Sequence, residues 1–316
     1  MFGKKLKEQT LLLLDIESGS VGSALVHFAP EKKPKIFGQW RNRLVLPTTR
    51  SASSLLETII KTSNEALVRV SEVAARIRHG TAAPQFGEIS RVAVILHPPW
   101  ATIEVGDVLR SHASDQLLNI FKNNISNYLG DTPVQFHPFG AVVAHGMNLQ
   151  TFGVAPASKN GTLVCSVTGE VCELLTVSDQ GILGSATIPF GTHTLLRTLK
   201  THGSISEHEA RSALHLTHFH EPLDAAAEEF GDIFCETLKD LLVSTTKDVL
   251  VVGETHSAVW VAKTLSSHGG VSSLFPNGGS VRVLKPSSFS KSLDAGVDSD
   301  IGLVLFSLYI DSKLLR

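Results

Sequence analysis

The sequence predicts an α/β protein made of two similar halves. Each half opens with three consecutive apolar or alternating runs separated by short turns, which is typical of a strand meander. In each half, helical and strand segments then alternate, so that the order βββαβαβα occurs twice. With 316 residues the chain is long enough for about two domains, each with its own core.

The first copy begins with the runs LLLLDI, SVGSALVHFA and KIFGQWRNRLVL, which are predicted strands. A helix is predicted from Ser53 to Ile77, where apolar residues recur at helical spacing. Further along lie a buried-type strand, Arg91 to Leu96, a helix from Ser114 to Leu129, the short strand PVQFHP, and a helix from Phe139 to Met147.

The second copy begins with the strands TLVCSV, VCELLTV and GILGSATIPF. Helices are predicted at Thr192–Lys200, Ser206–Leu216, Pro222–Leu242, Ser257–Ser267 and Ile301–Ile310, with the strands DVLVVG and SVRVL among them. Asn, Gly, Pro and Ser accumulate at residues 148–160, which predicts a boundary there. The predicted domains are therefore residues 9–150 and 161–316.

Composition excludes several classes of protein. The formal charge is -2, from 28 basic and 30 acidic residues, so no overall field attracts nucleic acid. Three cysteines without a CxxC pair indicate a reducing compartment. No apolar run reaches the roughly 18 residues of a membrane span, and no signal peptide is recognisable. We therefore expect a cytoplasmic or peripheral membrane protein.

Common catalytic motifs are also missing. The sequence contains no GxSxG, GxxxxGK[ST] or GxGxxG stretch. Cys165 and Cys172 fall in predicted strands, where a thiol usually serves as a small apolar side chain. His215, His218 and His220 lie close together but lack the ligand set of a zinc site, so a polar loop between helices is favoured.

Three stretches resemble the nucleotide motifs of the actin-like ATPase superfamily. Leu11–Val26 resembles its first phosphate hairpin, Thr162–Gly191 its second, and Asp248–Leu265 its adenosine motif. The sequence most resembles PilM/FtsA-like proteins. In these proteins the second hairpin continues into a P-x-G-x-x-x-L segment, which Pro189, Gly191 and Leu195 match here. The resemblance implies a duplicated ribonuclease-H-like fold with two domains around a cleft. Only 33 residues separate Trp100 from Val134, so the family's inserted subdomain is expected to be reduced or absent.

The resemblance also implies a nucleotide site with ATP and Mg²⁺ as cofactors. Backbone N–H groups in tight turns suit phosphate oxygens, and Asp15 would hold Mg²⁺ through water. The residues matched to the site are Asp15, Glu17, Ser18, Gly19 and Ser20 in the first hairpin, Ser166, Thr168, Gly169 and Glu170 in the second, and Gly253, Glu254 and Thr255 in the third motif.

Each motif departs from the family pattern. Glu17 replaces a usual glycine, one glycine of the second hairpin's pair is missing, and Glu254 and Thr255 stand where a glycine pair is usual. A carboxylate about 4 Å from a phosphate charge costs roughly 4 kcal/mol at an effective dielectric constant of about 20. ATP binding is therefore expected to be weak or lost, and Glu17→Gly is expected to improve it.

These features favour an actin-like cytoplasmic scaffold at the inner face of the membrane, most similar to PilM in type IV pilus biogenesis. Its expected partner is the cytoplasmic tail of an inner-membrane assembly protein, with membrane contact only through partners; the sequence leaves self-association open. One alternative is an ATP-binding, FtsA-like division protein or nucleotide-dependent switch. Another is a sugar-kinase-like enzyme, for which Asp107, Asp115 and Asp131 are the candidate catalytic residues.

Overall fold

A computed structural model describes most of the chain as two five-stranded sheets with helices packed on them. The described residues are 8–45, 51–79, 88–104, 110–112, 115–148, 161–179, 181–216, 220–239, 241, 248–275, 279–296 and 298–314. Residues 149–160, which contain the predicted domain boundary, lie outside these ranges.

The first half contains, in chain order, β1 (Gln9–Ile16), β2 (Ser20–Phe28), β3 (Lys35–Arg43), α1 (Ala52–His79), β4 (Ile89–Leu96), β5 (Thr102–Glu104), β6 (Arg110–His112), α2 (Asp115–Leu129), β7 (Val134–Pro138) and α3 (Phe139–Asn148).

The second half contains β8 (Thr162–Val167), β9 (Cys172–Ser178), β10 (Gly181–Ile188), α4 (Thr192–Gly203), α5 (Glu207–Leu216), α6 (His220–Leu238), β11 (Asp248–Gly253), α7 (Thr255–Ser267), α8 (Gly269–Leu274), β12 (Ser280–Val283), a 3-10 helix (Pro286–Phe289) and α9 (Ile301–Tyr309), which continues into a π-helical turn (Ile310–Leu314).

The two sheets have the same topology. Their strand orders are β3-β2-β1-β4-β7 and β10-β9-β8-β11-β12, each with an antiparallel meander followed by two parallel strands. This equivalence confirms the predicted duplication. The central strands β1 and β8 therefore have corresponding positions in the two halves, and the turns that follow them face each other.

Each central strand is buried on both faces, as its continuous apolar sequence predicts. Because side chains alternate along a strand, Leu12 and Leu14 pack in one cluster with α1, whereas Leu11 and Leu13 face a second cluster. That second cluster also contains residues of α3, α9 and the other sheet, including Val164. One continuous core therefore joins the two halves.

Several elements in the described ranges were not predicted from the sequence, among them a small sheet and a short helix. The strands β5 and β6 form a small separate sheet, and they lie in the segment where a reduced or absent subdomain is predicted. The helix α8 begins with Gly269 and Gly270. Because glycine has a low helical propensity, the sequence did not predict a helix there. No helix in the described ranges is both long enough and apolar enough to cross a membrane.

The cysteine and histidine predictions have different outcomes. Cys165 and Cys172 are fully buried in β8 and β9, as expected of small apolar side chains. His215 belongs to α5 and His220 begins α6, so these two lie in helices rather than in a loop. His218 lies outside the described residues.

Candidate functional site

The turns after β1 and β8 touch each other directly. A Cβ atom on Gly19 would lie 2.4 Å from the Cα atom of Gly169, and one on Gly169 would lie 2.2 Å from the Cα atom of Gly19. Real Cβ atoms do not approach other atoms so closely, so this contact requires glycine on both sides. The glycines that the resemblance matched to phosphate binding here bring two backbones together.

Hydrogen bonds reinforce this contact. The backbone N–H of Glu170 donates to the hydroxyl oxygen of Ser18 over 2.8 Å, and the hydroxyl groups of Ser18 and Thr168 are 2.9 Å apart. The hydroxyl group of Thr168 also donates to the carbonyl oxygen of Val171. Ser18 and Thr168 are buried. Groups matched to phosphate binding therefore already have partners within the protein.

Gly169→Ala is expected to lower the free energy of unfolding by about 1–3 kcal/mol, because the added methyl group meets backbone that cannot move aside cheaply. Urea denaturation followed by circular dichroism measures this loss. Gly269→Ala is the matched control, since a Cβ there meets no atom within 4 Å. Equal free energies of unfolding for the two variants would contradict the direct contact between turns.

Asp15, the residue matched to Mg²⁺ binding, lies in a buried ion cluster. Its Oδ2 accepts a hydrogen bond from Arg41 Nη2 over 2.5 Å, and its Oδ1 accepts one from His97 Nε2 over 2.8 Å. Arg41 also donates from Nη2 to Asp300 Oδ1 over 2.8 Å and from Nε to Oδ2 of the same carboxylate. The side chain of Asp15 has no exposed area.

The ion pairs in this cluster control its pKa values. Burial acts to raise the pKa of Asp15, but Arg41 and His97 together lower it well below its usual range. Burial acts to lower the pKa of His97, but Asp15 outweighs it and raises that pKa. Burial likewise opposes the charge on Arg41, and Asp300, Glu17 and Asp15 raise its pKa. The charged forms of Asp15 and Arg41 therefore hold each other in place.

Glu17 belongs to the same cluster. Its Oε1 lies 3.1 Å from Arg41 Nη1, and its Oε2 accepts a hydrogen bond from Ser20 over 2.8 Å. Burial raises the pKa of Glu17, and Arg41 acts to lower it. Glu17 thus presents no free negative charge, which removes the reason for expecting Glu17→Gly to improve nucleotide binding.

This arrangement does not fit Mg-ATP. Mg²⁺ binds oxygen ligands, yet both oxygens of Asp15 already accept hydrogen bonds, and the guanidinium group of Arg41 supplies the neighbouring positive charge. The contact between Gly19 and Gly169 also fills the space between the turns, where the resemblance implies a phosphate chain.

Beside the touching turns lies a cleft of about 1390 Å³ lined by both halves. Asp15 and Ser18 are fully buried, and Glu254 forms an ion pair across the cleft with Arg43 of β3. The predicted site residues that line the cleft are Glu17, Gly19, Ser20, Ser166, Thr168, Gly169, Gly253, Glu254 and Thr255. The structure therefore brings residues of the three motifs to one place, and their role in binding a cofactor stays a prediction.

Glu170, in the turn after β8, connects this turn to helix α4. Its carboxylate accepts hydrogen bonds from His193 Nδ1 over 2.9 Å and from Arg197 Nη1 over 2.8 Å. Burial acts to raise the pKa of Glu170, but these two partners lower it to about 2. The backbone N–H of His193 also donates to the carbonyl oxygen of Gly169. The start of α4 therefore fixes the turn that contacts Gly19.

Comparisons with known proteins agree with this topology. No family model matches the sequence, and no curated protein does. The structure of the PilM-PilN type IV pilus biogenesis complex is similar over 95% of this chain and 96% of that chain, with a TM-score of 0.63 and 8% identity. The ethanolamine utilization protein EutJ from Carboxydothermus hydrogenoformans is similar over 96% and 92%, with a TM-score of 0.55 and 14% identity.

This chain has the actin-like ATPase fold. The predicted fold class is confirmed, and PilM is among the structural neighbours. Within the described part of this actin-like chain, Asp115 and Asp131 are exposed and neither lines the cleft, which gives the sugar-kinase alternative no support. Asp107 lies outside the described residues.

The partners of Asp15 were not predicted from the sequence. Arg41 and Arg43 are two positions apart in β3 and therefore lie on the same face of the strand. This spacing indicates a charged strand face, but it does not indicate which residues form ion pairs with it. His97 directly follows β4, the parallel neighbour of β1, so the ends of two adjacent strands could have indicated its proximity to Asp15. No local pattern indicates Asp300, which precedes the last helix of the actin-like fold.

Proposed function

We propose that this chain is a scaffold component of a membrane-associated assembly, in which direct contact between the two halves has replaced nucleotide binding. The observation that carries this proposal is the contact between Gly19 and Gly169. In a nucleotide-dependent protein of this fold, the two turns would have to leave room for phosphate between them. Here the two turns touch each other, and this contact fills the space between them.

The ion cluster supports the same conclusion. Arg41 connects Asp15 of the first half with Asp300 of the second half. Its guanidinium group thus bridges the two halves, as a bound cation would. An internal guanidinium is present at all times, whereas Mg-ATP would join the halves only when bound. A permanent link between the halves suits a scaffold that presents one fixed surface.

A further connection lies at the edge of the first sheet. The backbone of Asp294 accepts a hydrogen bond from Ile36 N over 3.1 Å and donates one to the carbonyl oxygen of Pro34 over 2.9 Å. Gln39 donates to the carbonyl oxygen of Asp298. Residues 294 and 298 of the second half therefore contact β3 and the residue before it, which restrains opening on the outer side of the cleft.

The similarity to PilM favours type IV pilus biogenesis as the process, since that neighbour was solved in complex with PilN. We propose that the partner of this chain is the cytoplasmic tail of an inner-membrane assembly protein. The chain would then lie at the inner face of the cytoplasmic membrane and reach it only through that partner.

A sedimentation experiment tests this proposal. Native inner-membrane vesicles are expected to sediment the purified chain, whereas protein-free vesicles with anionic lipid are not, because a net charge of -2 gives little attraction to anionic lipid. Trypsin treatment of the native vesicles should abolish sedimentation. Equal sedimentation with protein-free vesicles, or none with native ones, would contradict a protein partner.

The same preparation tests the loss of nucleotide binding. Calorimetric titration with Mg-ATP is expected to show no binding tighter than about 1 mM. Adding Mg-ATP should also leave sedimentation with native vesicles unchanged. Micromolar binding would overturn the replacement of nucleotide by contact between the halves, and would favour the nucleotide-dependent switch.

A further inference from the structure

A second cluster of ionisable side chains lies away from the cleft, on the outer helices of the second half. Glu228 and Asp232 are one turn apart on α6, and His268 joins α7 to α8. His268 Nε2 lies 3.5 Å from Asp232 Oδ1 and 3.7 Å from Glu228 Oε1. The three ligand atoms lie within 4.8 Å of one another.

The imidazole in this cluster is buried, although the carboxylates are exposed. The side chain of His268 is 8% exposed, whereas those of Glu228 and Asp232 are 75% exposed. Its Nε2 is buried and has no hydrogen-bond partner among the described residues. A buried polar nitrogen without a partner is costly, and this one faces two carboxylates at distances too long for hydrogen bonds.

The position of the ring is fixed by its surroundings. A Cβ on Gly231 would lie 2.3 Å from His268 Cδ2, so the ring packs against α6 where that helix lacks a side chain. On its other side, His268 Nδ1 accepts a hydrogen bond from Val271 N over 3.4 Å and lies 3.9 Å from Cys235 Sγ. The packing therefore holds Nε2 between the two carboxylates.

We propose that Glu228, Asp232 and His268 bind a divalent transition-metal cation, with Zn²⁺ as the best match. Tetrahedral ligands at about 2.0–2.2 Å from zinc are separated by roughly 3.3–3.6 Å, which is close to the distances from Nε2 to the two carboxylates. Ca²⁺ prefers six or more oxygen ligands, and an imidazole ligand favours zinc instead. Water would complete the coordination at this exposed position.

Metal binding requires Nε2 without its proton. In the metal-bound form Nδ1 carries the hydrogen, and Cys235 Sγ at 3.9 Å can accept it. The long contact from Val271 is then given up. The bound ion would join α6 to the junction of α7 and α8, on a surface separate from the cleft, so this site does not depend on the proposed scaffold function.

Competition with a chromophoric zinc chelator tests the proposal on the full chain after removal of metal with EDTA. One Zn²⁺ per chain is expected to bind with a micromolar dissociation constant. Asp232→Asn and Glu228→Gln should each weaken binding by more than roughly tenfold, the least that loss of a group supporting a metal ligand costs. Glu229→Gln is the matched control, because Glu229 is exposed on the same helix and lies outside the cluster; its affinity should equal that of the wild type.

Cobalt substitution gives an independent readout. Co²⁺ bound to the wild type should show the visible absorption bands of tetrahedral coordination, and His268→Gln should lose them. Because His268 also caps α8, circular dichroism must show that this variant is folded; the exposed carboxylate variants test the site in either case. Absent zinc binding, wild-type affinity in both carboxylate variants, or an octahedral cobalt spectrum would overturn the proposal.

Discussion

Arg41→Met is expected to lower the free energy of unfolding by about 3–5 kcal/mol, because it leaves Asp15 ionised and buried without its strongest partner. Methionine retains much of the side-chain volume, so the loss reports the charge rather than a cavity. Urea denaturation near pH 7, followed by both circular dichroism and tryptophan fluorescence, measures it.

Arg43→Met is the matched control. Arg43 lies on the same strand face and also forms an ion pair across the cleft, but its side chain is 49% exposed, compared with 17% for Arg41. Exposed ion pairs contribute about 0–1 kcal/mol. If the two variants lost the same free energy, the ion cluster around Asp15 would not be what holds the halves together.

Glu173→Gln is expected to make the protein more stable at pH 8 than the wild type, while changing little at pH 5. Glu173 is buried in β9, and burial raises its pKa from 4.5 to about 7, with His97 acting in the opposite direction. The unfolded chain releases this proton near pH 4.5, whereas the folded chain keeps it until about pH 7. The wild type therefore loses stability as pH rises through this window, by about 3 kcal/mol in total.

The measurement is the free energy of unfolding of both proteins at pH 5, 6, 7 and 8. The difference between variant and wild type should grow by about 2.5 kcal/mol between pH 5 and pH 8, because the unfolded chain has already begun to release this proton at pH 5. Glu57→Gln, at an exposed position of α1, is the control and should show no such growth. A constant difference for Glu173→Gln would mean that Glu173 is ionised throughout the range.

The buried neighbours explain why Glu173 is sensitive. Its Oε2 and the Nδ1 atom of His97 are both buried and have no hydrogen-bond partner among the described residues. His97 donates from its other nitrogen to Asp15 and stacks on Phe139 at 4.1 Å between ring centroids. The inner side of the Asp15 cluster is therefore buried against the ring of Phe139, and burial strengthens each charge interaction.

The sequence could predict the fold because its periodicity is local. The continuous apolar runs of β1 and β8 predict central strands, and their turn residues predict meanders. The repeated element order then predicts the duplication. Elements without a strong period were missed, such as α8, which has two glycines in its first turn.

The sequence could also predict which residues would gather at the candidate site, but not how they would be used. Gly19 and Gly169 are as compatible with a phosphate-binding turn as with a contact between two turns. In both cases glycine permits close approach, of a phosphate group or of another backbone. The carboxylate of Asp15 is likewise as compatible with the role of a metal ligand as with that of an ion-pair partner. Local sequence does not distinguish these uses.

The sequence by itself determined the duplicated architecture, the central strands and the motif positions, because alternation and turn chemistry act between residues near in the chain. Only the tertiary structure decided that Arg41 occupies the place beside Asp15 and that the two turns touch. Arg41 and Asp300 are 259 positions apart, and the shared core of α3, α9 and both sheets brings them within hydrogen-bond distance. Such contacts depend on how two halves pack, and no local pattern encodes that.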